Sequence, residues 1–139
     1  IVGESVMAGL EANEGFILRT GYTYSAHPVA CAAALKCIEI QEEEGLLARA
    51  TAIGEQLSAG LRSLLDDGLL IDVRGEGAVW GISVPDGVEV VAVRDALLQE
   101  GVIIRPIPPN HMSMCPPLVI SDEQIDKIVT SLRKVLTAE

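Results

Sequence analysis

The spacing of apolar residues changes period repeatedly between Leu46 and the end of the chain, and this change restricts the fold more than any other feature. The first segment has apolar residues at helical spacing and ends at Asp-Asp-Gly: Leu47, Ala50, Ile53, Leu57, Leu61, Leu64 and Leu65. The next segment, residues 69–84, predicts two strands joined at glycines. Trp80, Ile82 and Val84 alternate there on one face.

The same alternation continues to the C-terminus. Residues 88–101 predict an amphipathic helix closed by Gly101, and residues 102–107 and 111–115 predict two more strands. Ser121 and Gln124 form a capping-box pattern ahead of a last helix. The core face of that helix comprises Ile125, Ile128, Val129, Leu132 and Leu136. Helices that alternate with strands predict an α/β fold, more narrowly an α+β small domain with helices covering one small sheet.

The first 45 residues contain no strands that could pair with one another. Residues 4–12 predict a short helix, and Pro28 suits the first position of a long helix that ends at Gly45. Small apolar residues fill the first half of this helix, which predicts burial on most sides. The chain opens on Ile-Val-Gly without an initiator Met, like the end of a strand. We therefore expect a piece of a larger fold, in which the long helix bridges to a missing domain.

Composition excludes several classes of function. The formal charge of −10 argues against nucleic-acid binding, which needs clustered Lys and Arg. No apolar run approaches the roughly 20 residues that cross a bilayer, so we expect no membrane partner and a cytoplasmic location. Cys31, Cys37 and Cys115 have no metal-site spacing, and His27 and His111 are far apart. We expect no metal site and free, buried thiols.

Two residues suggest binding chemistry. Thr23 is a loop hydroxyl just before a helix N-terminus, which suits a phosphate, although simple capping is the more common role of such a residue. Arg105 interrupts an apolar strand; it either clamps a carboxylate or points to water from the strand end. The glycines of RGEGAVWG, residues 74–81, lack dinucleotide-loop spacing and are better explained by turns. His27 and Ser25 are interpreted as helix-entry and turn residues.

Three motifs together resemble one family. The segment GYTYSAHPVACAAAL, residues 21–35, resembles GYTYSGHPVACAAAL of the class III pyridoxal-phosphate-dependent aminotransferases, or omega-aminotransferases. Residues 73–84 resemble the strand pair with RGxG in that family. Residues 100–129 resemble its C-terminal block, which ends in PPL and a helix. The resemblance is collinear and covers essentially the whole chain.

The resemblance implies a fold, a cofactor and a set of sites. The fold would be the C-terminal segment of an aspartate-aminotransferase-like (type I) enzyme. Residues 1–27 would end the large cofactor-binding domain, 28–45 would form the bridging helix, and 46–139 the C-terminal small domain. The cofactor would be pyridoxal 5'-phosphate (PLP). In a homodimer or higher homo-oligomer, Tyr22 and Thr23 would reach the phosphate of the partner subunit's PLP, and Arg105 would pair with the substrate carboxylate.

The implied activity moves an amino group between an amine or amino acid and a keto acid. Lys36, Lys127 and Lys134 do not lie where the family has its Schiff-base lysine, so we expect no catalytic residue here and no activity from this chain alone. Alternatives are an aminomutase or decarboxylase on the same scaffold, or a free-standing small α/β binding module. Ala26 and Thr20 depart from the glycine and histidine that are common in the family, and a positive φ at Ala26 would strain the loop.

Overall fold

The computed structural model describes residues 3–13, 15, 17 and 21–138. Their backbone divides into two units, Ile1–Cys37 and Ile38–Glu139. Thr20, one of the two departures from the family pattern, lies outside the described residues.

The first unit contains helix α1, Glu4–Glu11, and the beginning of helix α2, Pro28–Glu43. Both predicted helices are confirmed, and Pro28 is the first residue of α2, where its missing N–H removes no intrahelical bond. The predicted burial of α2 is wrong for this chain. None of its residues is buried within the part of the chain that the structure describes.

The second unit alternates helices and strands as the apolar periods predict. Its helices are α3, Leu46–Asp66, α4, Val90–Gln99, and α5, Asp122–Ala138. Its strands are β1, Asp72–Glu76, β2, Val79–Ser83, β3, Arg105–Ile107, and β4, His111–Met114. The strands form one antiparallel sheet in the order β1-β2-β4-β3.

The core lies between one face of this sheet and the three helices. Trp80, Ile82 and Val84 are buried on that face, as their alternation predicts, and Met112 lies beside Ile82 on the neighbouring strand. From the helices, Ile53, Leu57 and Leu61 of α3 and Ile125 and Leu132 of α5 are fully buried. Leu47 differs from the prediction. It lies in the first turn of α3, before the helix reaches the sheet, and it is 75% exposed.

Helices α3 and α4 end in the same hydrogen-bonded arrangement, the Schellman motif. At the end of α4, Gly101 donates to the Leu98 carbonyl at 3.0 Å and Val102 donates to the Leu97 carbonyl at 2.9 Å. Gly101 has a φ of 78° there, which a residue without Cβ adopts at little cost. Because the Val102 amide completes the helix cap, it does not join the sheet. The predicted strand 102–107 is therefore shorter and begins at Arg105.

The three cysteines are free, as expected, but the expectation that they are buried is wrong. Cys31, Cys37 and Cys115 are all exposed. Cys31 and Cys37 belong to the uncovered helix α2, and Cys115 follows the last residue of β4. Within residues 3–13, 15, 17 and 21–138, no cluster of three potential metal ligands occurs, and no helix has the length and apolarity that a bilayer crossing requires.

Candidate functional site

Tyr22 and Thr23 lie in the first of two consecutive turns that lead into α2. Ser25 donates its backbone N–H to the Tyr22 carbonyl at 3.0 Å, and His27 donates to the Tyr24 carbonyl at 3.3 Å. The Ser25 hydroxyl accepts a hydrogen bond from the Tyr22 amide at 3.3 Å. These contacts agree with the interpretation of Ser25 as a turn residue. His27 enters the helix, where its carbonyl accepts from Cys31.

Ala26 occupies the left-handed region of backbone space, with a φ of 60°. A positive φ at Ala26 was expected to strain the loop, and the structure shows that φ is positive there. A residue with Cβ costs roughly 1–2 kcal/mol there relative to the right-handed region. The turn is therefore strained at the residue that separates the Tyr-Thr-Tyr segment from the helix.

The turn can offer hydrogen-bond donors to an anion, but no positive charge. Tyr22 is 87% exposed, and the hydroxyl of Thr23 has no hydrogen-bond partner among the described residues. The first turn of α2 adds backbone N–H groups that have no acceptor within the helix. Residues 21–35 include no Lys or Arg. The arrangement fits one side of a phosphate, with the balancing charge supplied from elsewhere.

Arg105, the second predicted site residue, belongs to the other unit. It is the first residue of β3 and it is exposed, so it is not a cation buried within a strand. Four other arginines pair with aspartates: Arg49, Arg74, Arg94 and Arg133. Arg105 has no acidic partner in the part of the chain that the structure describes, and the same holds for Arg62 on α3. Since acidic residues outnumber basic ones by 20 to 10, an unpaired strand arginine is available for an external anion.

Arg105 lies on the face of the sheet that turns away from the three helices, here called the outer face. Its cross-strand neighbour is Ser113, and the next pair along the same face is Ile107 and His111. Farther across the sheet, Ser83 is opposite His111 and Asp72 is opposite Ser83. The intervening residues Pro106, Met112 and Ile82 point to the core face. Successive side chains of a strand point to opposite faces of the sheet, and residues paired across strands share a face.

Hydrogen bonds connect the polar residues of the outer face across three strands. Arg74 pairs with the Asp72 carboxylate and also donates to the Ser83 hydroxyl at 3.3 Å. The same hydroxyl lies 2.8 Å from Nδ1 of His111. The Arg74 side chain lies against Gly81, where a Cβ would be 3.6 Å from its Nε, an ordinary van der Waals distance. The guanidinium thus passes over β2 to reach Ser83.

The glycines of RGEGAVWG shape the turn between β1 and β2, as predicted. Gly77 has a positive φ in that turn, and its carbonyl accepts a hydrogen bond from the Trp80 indole at 2.7 Å. Gly75 faces Trp80 across the strands, and a Cβ at Gly75 would lie 2.6 Å from the indole ring. These glycines therefore admit the tryptophan and form no nucleotide loop.

The second unit also has a groove of about 490 Å³ beside the end of α4. Its lining includes Val102, Ile104, Cys115, Ile120 and Lys127. No predicted site residue lines this groove. Of the three lysines of the chain, Lys127 lines this groove, Lys134 pairs with Glu100 at 2.7 Å, and Lys36 lies on α2.

The sequence did not single out Arg74, Ser83 or His111 as a group. Their positions alternate with the core residues of β1, β2 and β4, which indicates only that they face away from the core. The antiparallel register brings them together, and no local pattern encodes that register. Tyr22 and Thr23 share one turn, while Arg105 and the outer face belong to the second unit.

Comparison with known proteins identifies the family. The family model for class III aminotransferases matches residues 2–136. The chain is 36% identical over 121 residues to an omega-aminotransferase of Caulobacter vibrioides, an alignment that covers 84% of this chain and 27% of that protein. It is 38% identical over 114 residues to acetylornithine aminotransferase 1 of Bordetella parapertussis, covering 81% of this chain and 28% of the relative.

Solved structures agree over nearly the whole chain. An (S)-enantioselective omega-transaminase from Thermomicrobium roseum superposes with a TM-score of 0.82 at 28% identity, covering 99% of this chain and 33% of that one. An amine transaminase from an uncultivated Pseudomonas species, in its PLP-bound form, gives a TM-score of 0.83 at 29% identity, covering 97% and 33%. The chain thus spans about a third of these structures. Since the family model covers almost the whole sequence, this chain belongs to the class III aminotransferase family.

Proposed function

We propose that the chain is the C-terminal part of a PLP-dependent transaminase that moves an amino group between an amine or amino acid and a keto acid. The observation that carries this proposal is the collinear family match over residues 2–136. In this proposal residues 1–27 end the large domain, 28–45 form the bridging helix, and 46–139 form the small domain. The catalytic lysine lies outside this chain, so the 139 residues alone show no transaminase activity.

The family uses PLP, which supplies an electron sink for chemistry at the amino-bearing carbon when it is bound. In this chain the Thr23 hydroxyl donates a hydrogen bond to the phosphate of the PLP held by the partner subunit, and Tyr22 helps to shape that subunit's pocket. The exposed turn supports this role, because its free hydroxyl and backbone N–H groups can reach a second molecule. The absence of Lys and Arg from residues 21–35 also fits a shared site.

Thr23→Ala in the full-length enzyme tests the phosphate contact. Losing one hydrogen bond to a charged group weakens PLP affinity by about tenfold. Thr130→Ala on α5 is the matched control and leaves PLP affinity unchanged. Removing PLP from each protein by dialysis and titrating the resulting apoenzyme with PLP measures the affinity of both variants.

Mixed dimers show whether the contact crosses the interface. One subunit lacks the catalytic lysine and the other retains it. When the lysine-lacking subunit carries Thr23→Ala, the remaining site binds PLP weakly; when the lysine-bearing subunit carries it, that site binds normally. The opposite pattern would place the contact within one subunit and contradict the proposal.

Arg105 binds the carboxylate of the amino-acid or keto-acid substrate. Its exposure at a strand end and its lack of an acidic partner support this role, since a guanidinium matches a carboxylate with two parallel hydrogen bonds. An amine without a carboxylate leaves the side chain in water. The long arginine side chain at the start of β3 accommodates both conditions.

Arg105→Ala in the full-length enzyme separates the two half-reactions. We expect kcat/KM with pyruvate or alanine to fall about 10- to 100-fold, while kcat/KM with a simple amine donor changes little. Arg62→Ala removes another exposed arginine without an acidic partner and leaves both half-reactions unchanged. Equal losses in both half-reactions would make Arg105 structural.

A further inference from the structure

His111 lies close enough to Arg105 on the outer face to donate a hydrogen bond to the same ligand. Arg105 pairs with Ser113 and Ile107 pairs with His111 on adjacent strands, so Arg105 and His111 are diagonal neighbours on the outer face. Side chains in that relation are about 7–8 Å apart at their Cα atoms, within joint reach of one small anion. His111 is only partly buried, so its ring can be reached from the outer face.

The hydrogen bonds around His111 select one tautomer of its ring. Arg74 can only donate, so the Ser83 oxygen accepts from it at 3.3 Å. If Nδ1 of His111, 2.8 Å from this oxygen, also donated to it, the hydrogen of the buried Ser83 hydroxyl would have no acceptor among the described residues, so that hydrogen is directed to Nδ1. An Nδ1 that accepts carries no hydrogen, and the neutral ring therefore keeps its hydrogen on Nε2. Ser83 is 3% exposed, so water does not compete for its hydroxyl.

We propose that His111 is a second substrate-contacting residue, whose Nε2–H donates to the carboxylate that Arg105 binds, and that Ser83 and Arg74 are positioning residues that hold its tautomer. The ligand is a small monocarboxylate, such as a 2-keto acid. This inference rests on the proposed role of Arg105. In the strand register no carboxylate is opposite or diagonal to Arg105 or His111, and Asp72, two strands away from His111, pairs with Arg74.

Nuclear magnetic resonance on the 139-residue chain tests the tautomer first. The ring nitrogens of His111 should show hydrogen on Nε2 and none on Nδ1 at a pH where the ring is neutral. Ser83→Ala should give a mixture of tautomers, and Ser83→Thr, which keeps the hydroxyl, should restore the single form. His27, the only other histidine of the chain, is an internal control whose signals should not respond to either change. A ring with hydrogen on Nδ1 overturns the proposal.

Titration with pyruvate then tests the contact, at constant chloride concentration and with neutral pyruvamide as the matched probe. The His111 ring and the Arg105 Nε–H signals should shift with one common Kd, and pyruvamide should shift neither. His111→Phe should weaken pyruvate binding about three- to tenfold, His111→Gln, which retains a donor, should weaken it less, and Arg62→Ala should not weaken it. Backbone amide spectra confirm that each variant keeps its fold.

The outcomes separate this inference from the proposed function. The role of His111 is overturned if pyruvate shifts the signals of Arg105 but not those of His111. It is also overturned if pyruvate binds His111→Phe as tightly as the parent chain. Either result leaves the role of Arg105 intact. Pyruvate that shifts neither residue overturns the His111 contact as well, and the half-reactions of Arg105→Ala in the full-length enzyme then decide the proposed function separately.

Discussion

At the scale of single residues, Ala26 shows how the sequence and the structure combine. The departure from glycine is visible in the sequence, but its consequence depends on φ, which the structure gives as 60°. Arg105 shows the converse. The sequence left open whether the arginine within VIIRPI clamps a carboxylate or points to water from a strand end, and in the structure the Val102 amide caps α4 and the strand begins only at Arg105. A local pattern identified both residues, but the backbone conformation at each of them could be read only from the structure.

The strain at Ala26 predicts a stabilising substitution. Ala26→Gly should raise the free energy of unfolding by up to about 1 kcal/mol, because relief of the left-handed strain exceeds the added entropy of glycine in the unfolded chain. Ala33→Gly within α2 is the matched control and should lower it by about 1 kcal/mol. Urea denaturation of the three proteins measures both effects. The idea fails if the two substitutions change stability in the same direction.

At the scale of elements, the sequence predicts most of the second unit. The helical period of α3 and the alternation in β2 follow from burial on one side, and the capping box of α5 is confirmed in both directions. Ser121 donates its amide to the Gln124 side chain at 3.0 Å, and Gln124 donates its amide to the Ser121 hydroxyl at 3.3 Å. The sheet order β1-β2-β4-β3 could not be predicted, because pairing depends on contacts distant in sequence.

The Ser121 cap also makes stability depend on pH. A hydrogen bond from the Ser121 side chain, and then a backbone hydrogen bond, lower the pKa of Glu123 below its ordinary value of 4.5. A carboxyl whose folded pKa is lowered stabilises the fold above its unfolded pKa. That contribution disappears as the pH falls through the folded value.

Ser121→Ala removes the helix cap, a loss that typically costs about 1 kcal/mol. The total cost should be larger at neutral pH than in acid, below the folded pKa of Glu123, because only the ionised carboxylate loses the Ser121 hydrogen bond. The pKa of Glu123 should rise in the variant. Glu123→Gln cannot titrate, so in that background the cost of Ser121→Ala should not vary with pH. Denaturation between about pH 2 and pH 7, a range that spans the titration of a carboxyl, measures the dependence. A cost that is equal at both ends of the range would contradict the linkage.

At the scale of the whole molecule, the two units differ in how far they bury their apolar residues. The second has a continuous core, whereas α1 and α2 have no buried residue. Val29, Leu35 and Ile38 on α2 are 72%, 69% and 52% exposed. The composition of α2 predicts a buried helix, but none of its residues is buried in the part of the chain that the structure describes.

The exposed side of α2 predicts self-association of the isolated chain. Sedimentation velocity over a hundredfold range of concentration, roughly what the optics allow, should show a rising average mass, since apolar contacts of this kind obey mass action. Replacing Val29 and Leu35 by lysine should remove most of that rise. Ile103→Lys, at an 86% exposed position of the second unit, is the control and should not. A chain that stays monomeric throughout contradicts the account of α2.

The two edges of the sheet add a consequence for the form that such assemblies take. The edge strand β3 has three residues, one of them Pro106, which has no N–H to donate. The other edge, β1, carries the charged residues Asp72, Arg74 and Glu76 on its outer face. Short, proline-bearing and charged edges oppose strand addition by another chain. Assemblies of this protein should therefore join through helices, keep the helical content of the monomer, and fail to grow as β-rich fibres.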